Sequence, residues 1–73
     1  MTTKSEQDFM IDCIMSDLTV YLMRDYNITM EKALSTIYNS EYYNRLNNID
    51  TGLYCESSPY NYHFLRHEIE SSK

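Results

Sequence analysis

Apolar residues recur along this chain in helical stretches separated by short polar breaks. In the first stretch Ile11, Ile14, Leu18 and Leu22 follow one face of a 3.6-residue period, widened by Met10, Cys13, Met15 and Tyr21. Asp12, Ser16 and Thr19 mark the opposite, solvated face. Thr3 and Glu6 have the spacing of a capping box, and Glu6 and Asp8 suit the positive end of a helix dipole. A helix is therefore predicted from there to about Tyr26. Phe9, Val20 and Met23 spill beyond its stripe, as on a helix contacted on more than one side. Asn27 tolerates the left-handed conformation that ends a helix, and Thr29 caps a second one with Glu31 in its first turn. Met30, Ala33, Leu34, Ile37 and Tyr38 hold the helical spacing of that segment without a miss. Asn39 and Ser40 stop it, and Ser40 caps a third, short helix carrying Tyr42, Tyr43 and Leu46.

The next break, Asn47 to Gly52, has turn chemistry. Asp50 is predicted to accept the backbone N–H two residues on, and Gly52 to supply positive φ. Leu53 and Tyr54 then emerge extended and plug the core. Ser58-Pro59 reads as a helix start, with serine as cap and proline at the first helical position. The last helix runs from Pro59 to about Ile69, with Tyr62, Leu65 and Ile69 inward, helped by Phe64, and with Arg66, His67, Glu68 and Glu70 polar. Ser71 to Lys73 should fray. The predicted fold is all-α: a small bundle of three principal helices plus one short helix, with a Gly-centred turn, in a single domain over residues 1–73.

Ile28-Thr29, Ala33-Leu34, Ile37-Tyr38-Asn39-Ser40, Tyr43 and Leu46, followed by Thr51-Gly52-Leu53-Tyr54, Ser57-Ser58, Tyr60, Tyr62, Leu65 and Glu68, carry a family resemblance. On these residues the chain resembles a family of small uncharacterised bacterial proteins. Their pattern is a helix ending in a Tyr-Asn-Ser-like step, a Thr-Gly-Leu-Tyr turn, and a closing helix with Ser and Tyr at its start. The likeness spans residues 28 to 69; the first helix is similar only in being apolar and acidic. Such genes are associated with neighbours that look like toxins of the ADP-ribosyltransferase type. The resemblance implies an accessory or antitoxin-like role and supplies no catalytic residue.

Size changes the weight of these patterns. A chain of 73 residues buries only about 60% of the surface its unfolded form exposes. Stability of a few kcal/mol at most is expected unless a second chain adds buried area. Eight tyrosines and five methionines supply much of the apolar side chain, and both types are adaptable enough to fill a small core or to face a partner. Net charge is −5, and the six basic residues are scattered among acids, so no stripe exists to neutralise phosphates; nucleic-acid binding is not expected. Asp12, Asp17 and Arg24 interrupt the longest apolar stretch, which argues against a membrane span. The N-terminus has no signal-peptide pattern, and Glu6 and Asp8 argue against a transit peptide, so a cytoplasmic location is expected. Cys13, buried on its helix, and Cys55 should then be free thiols.

Chemistry finds little footing. His63 and His67 stand four apart on the last helix, the separation at which two imidazoles share a metal, with Glu70 and Cys55 as further candidates. No Cys-x-x-Cys or His-Glu-x-x-His accompanies them, so no metal, cofactor or catalytic residue is predicted. A thiolate–histidine pair at Cys55 would also need a pocket of several hundred Å^3, and so small a helical domain offers little room for one. Tyr38, Tyr42, Tyr54 and Tyr62 fall at core positions, whereas Tyr26, Tyr43 and Tyr60 sit at element edges, where a ring buries its face and keeps its hydroxyl wet. The expectation is a small acidic protein-interaction module, antitoxin-like or regulatory, that occludes a partner protein's surface and is not an enzyme. The alternative is an assembly protein acting through homodimerisation. The residues expected at contacts are Phe9, Met10, Val20, Met23, Tyr26, Tyr43 and Tyr60, with Asp50 and Gly52 shaping the turn. A two-fold homodimer through the first helix is the simplest use of its surplus apolar face.

Overall fold

The structure, a computed structural model, describes residues 4–71. It is all-α, with helices α1 (Lys4–Tyr26), α2 (Met30–Tyr38), α3 (Glu41–Asn47) and α4 (Ser58–Ser71). Two 3-10 turns, Ile49–Thr51 and Leu53–Cys55, join α3 to α4, and no strand occurs among the described residues. The 23 residues of α1 extend about 34 Å. In a molecule of 38 × 21 × 19 Å, a rod of that length fits only along the long axis. No helix among the described residues is long and apolar enough to cross a membrane.

Helices α2 and α4 and the second 3-10 turn pack on α1, α3 packs on those three elements, and together they enclose one core. Ile11, Ile14, Met15, Leu18 and Leu22 come from α1, Ala33 and Ile37 from α2, Tyr42 and Leu46 from α3, Tyr54 from the second 3-10 turn and Leu65 from α4. Each fully enclosed aliphatic side chain, such as Leu18 or Leu65, contributes about 1.5–3 kcal/mol over leaving it in water.

Local chemistry sets the boundaries. Asn27 ends α1 with φ +53°, the left-handed conformation that asparagine tolerates. The Thr29 hydroxyl accepts the Lys32 N–H at 3.2 Å and starts α2. Ser40 joins two helices: its hydroxyl donates to the Ile37 carbonyl at 2.6 Å and accepts the Tyr43 N–H at 3.1 Å. Gly52 takes φ +68°, as its turn requires. The Thr3 cap and the tail beyond Ser71 lie outside the described residues.

Several expectations are corrected. Asp50 does not accept the Gly52 N–H, which goes to the Ile49 carbonyl at 3.3 Å. The side chain that organises this turn is Asn48, whose Oδ1 accepts the Asp50 N–H at 3.0 Å, because the chain already tightens into a 3-10 turn at Ile49. Leu53 and Tyr54 are likewise 3-10 rather than extended, although Tyr54 is buried as expected. The cap of α4 is Ser57, one residue earlier than predicted: its hydroxyl accepts the Tyr60 N–H at 3.3 Å, and its carbonyl takes the Asn61 N–H. Ser58 is released to donate to Asp17 Oδ2 at 2.6 Å, tying α4 to α1.

Two residues of α1 exchange places relative to the predicted stripe. Thr19 is buried, and its hydroxyl donates back to the Met15 carbonyl at 2.7 Å, so a polar side chain enters the core with its hydrogen bond made. Cys13 is exposed, because five residues turn it about 140° away from Leu18 at the centre of the core face. On α2 only Ala33 and Ile37 are buried, and Tyr38 is 54% exposed. A nine-residue helix lying on a neighbour buries its midline, and the ends of its stripe overhang. Phe64 is also exposed, outside the core that Leu65 enters.

Candidate protein-interaction surfaces

Asn61 fixes the start of α4 to the rest of the fold. It is fully buried, and its Nδ2 donates to the carbonyls of Leu53 at 2.9 Å, Ser57 at 3.0 Å and Glu56 at 3.4 Å. Its Oδ1 accepts the Tyr42 hydroxyl at 2.5 Å. Burial pushes that hydroxyl's pKa well above the usual tyrosine value, so the proton stays on the donor. Two turns further along α4, Glu68 accepts the N–H groups of Glu41 and Tyr42, each at 2.8 Å. Those are two of the donors that a helix start leaves unpaired, and the carboxylate also suits the positive end of the α3 dipole. Asn61 and Glu68 thus hold α3 and α4 at a fixed separation.

Between those two helices lies an open groove of about 610 Å^3. Leu53, Tyr60 and Phe64 form its apolar wall, and Arg45, Thr51 and His67 its polar side. Tyr60 and Phe64, one helical turn apart, meet edge-on with ring centroids 5.1 Å apart, and both are exposed. Arg45 forms no ion pair with any described residue. A concavity of several hundred Å^3 is therefore present where little room was expected. Cys55 is exposed and does not line it, so the groove brings no thiol to a histidine.

The second open surface is the outward face of α1. Phe9 is 69% exposed, Val20 57% and Met23 37%. Of the other residues expected at contacts, Met10, Tyr26 and Tyr43 are partly buried against the chain's own core. Tyr26 donates its hydroxyl to Glu70 Oε2 at 3.2 Å, and Tyr43 meets the Tyr38 ring edge-on at 5.1 Å. Tyr60 is the one edge tyrosine of that set that is exposed. The groove also takes Phe64, which the sequence places inward, and Arg45, to which it gives no role. The helical spacing of Tyr60 and Phe64 could have signalled an aromatic pair, whereas nothing near Arg45 in the sequence points to the groove.

A separate clip joins α1 to α4. The Tyr62 hydroxyl donates to Asp25 Oδ2 at 2.7 Å, and Tyr62 packs against Tyr21 at 5.1 Å. That hydrogen bond, and then Arg24 beside it, holds the Asp25 carboxyl below its ordinary pKa of 3.8. The Tyr62 hydroxyl is raised, first by burial and then by its bond to Asp25.

His63 and His67 share a shallow recess with Arg66 and Glu70. The Arg66 guanidinium, which donates to Glu70 Oε2 at 2.8 Å, would repel a cation there. Among the described residues no group of three or more His, Cys, Asp or Glu side chains is placed to hold a metal ion. Comparison of the chain with protein-family models, with curated proteins and with solved structures gives no match.

Proposed function

We propose that this chain, a small bundle of three principal helices and one short one, is a protein-interaction module, antitoxin-like or regulatory, that occludes the surface of a partner protein. The observation that carries the reading is the exposed Tyr60–Phe64 pair in a groove whose two walls are tied together by Asn61 and Glu68. A groove set before binding avoids the ordering cost that otherwise consumes affinity. Tyrosine and arginine are also the residue types that anchor interfaces, and Tyr60 and Arg45 stand on facing elements. The fitting segment offers one apolar side chain to Tyr60 and Phe64 and a carboxylate to Arg45. In this reading the chain does no chemistry of its own.

A second reading, assembly through homodimerisation, is supported by the exposed apolar side chains of α1. The first reading is tested with a photo-reactive benzophenone amino acid at Phe64, in the cells that make the protein, against the same probe at exposed Glu31 on α2. Position 64 should yield an adduct with one other polypeptide, lost in Arg45→Ala, and position 31 should not. No adduct at position 64, or the same adducts at both positions, would overturn it.

A further inference from the structure

The outward face of α1 carries an ordered seam. Phe9, Cys13, Ser16, Val20 and Met23 are all exposed, and their successive spacings of four, three, four and three residues are those of the a and d positions of a coiled coil. They lie on the side of α1 opposite Leu18, so the same helix presents one stripe to its own core and a second to solvent. We propose that this seam packs against the same seam of a second copy, with the two α1 helices antiparallel.

The charges choose the orientation. Glu6, Asp8 and Asp12 make the first half of α1 acidic, whereas the other end carries Arg24, paired with Asp25 at 3.2 Å, beside Met23. A parallel pair would set Glu6 against Glu6 in the seam. An antiparallel pair brings Arg24 to the acidic half of the partner subunit. The side chains agree in size: Phe9 then meets Val20 of the partner subunit, and Cys13 meets Ser16 of the partner subunit, small against small at the two-fold axis, where the backbones come closest. A seam along α1 extends about 34 Å, nearly the whole 38 Å length of the molecule. Two helices in contact over that length bury an area near the lower bound of stable interfaces, about 1,200 Å^2 in total. The dimer therefore forms reversibly and depends on concentration. No groove-lining residue belongs to α1, so the dimer leaves both α3–α4 grooves open.

Sedimentation velocity over a concentration series tests the association. The wild-type chain should pass from monomer to dimer, and Val20→Lys should weaken that step about tenfold or more, because a lysine would be buried in an apolar seam. Val20 is exposed in the monomer, so the variant's circular dichroism and melting at low concentration should match wild type. Disulfide trapping tests the orientation. Cys55→Ser protein, which retains Cys13, is mixed with Cys13→Ser/Ser16→Cys/Cys55→Ser protein and mildly oxidised. Antiparallel pairing predicts the mixed disulfide in excess of both symmetric ones. A monomer up to millimolar concentration, a dimer untouched by Val20→Lys, or an excess of symmetric disulfides would overturn the proposal. None of these results bears on the groove, whose own test is at Phe64.

Discussion

Replacing Asn61 by alanine strips the buried Tyr42 hydroxyl of its acceptor and the part-buried Leu53, Glu56 and Ser57 carbonyls of a shared donor. Stranded polar groups cost more than a single hydrogen bond is worth, so Asn61→Ala should lose about 2–4 kcal/mol in urea unfolding, and Tyr42→Phe about 1–2. Gly52 is a different case. A Cβ there would meet no atom within 4 Å, so the penalty for a side chain is the positive φ alone. Gly52→Val should cost about 1–3 kcal/mol and Gly52→Asn about 1 or less, since asparagine accepts that conformation. The tyrosines set an alkaline limit. Tyr42 and Tyr62 have folded pKa values raised above the ordinary 10, so their stabilisation is complete below about pH 10 and is lost as pH rises through the folded values. Melting temperature should hold to that point and fall beyond it, with a shallower fall in Tyr42→Phe. Asp25 works in the opposite direction: its lowered pKa gives stability that is present above 3.8 and is lost as pH falls through the folded value.

At the scale of elements, Glu68 acts for α3 as Ser40 does, but from 26 and 27 residues away in the chain. Glu68→Ala should release the first turn of α3 at about 1–2 kcal/mol, and Glu68→Gln should lose less because one oxygen still accepts. This contrast explains what was legible in the sequence. Asn27, Thr29, Ser40 and Gly52 act on backbone within three or four residues, so their roles follow from residue type and position. Asn61 and Glu68 act across the fold, and a polar residue on a helix face looks the same whether it faces water or a distant N–H. Periodicity located the centre of the α1 stripe at Leu18 but not its width, which neighbours decide. Spacing alone therefore puts Thr19 on the solvated face and Cys13 on the buried one, and the neighbours reverse both. The stretch from Asn47 to Gly52 is legible as a turn, but Asn48 and Asp50 are both turn formers, so residue type alone does not say which side chain accepts the hydrogen bond. Of the contact surfaces, Phe9, Val20, Met23 and Tyr60 were readable as apolar surplus. Arg45 and Phe64 join the groove only once α3 and α4 are set side by side.

For the whole molecule, a chain small enough to leave much of its surface in water has apolar surplus on two features, an outward seam on α1 and a groove between α3 and α4. Helicity and melting should be unchanged by excess chelator, because no set of three ligands among the described residues converges on one point. A stoichiometric metal retained through purification would reopen the His63–His67 recess. The groove reading depends most on α3 being held against α4 before any partner arrives. Amide hydrogen exchange of the free protein at Glu41 and Tyr42 measures this directly, because both N–H groups have Glu68 as their acceptor. They should exchange as slowly as amides that open only with the whole fold, and should become much faster in Glu68→Ala. Rapid exchange at both positions in the wild-type protein would contradict the account, since it would show the groove's α3 wall opening on its own.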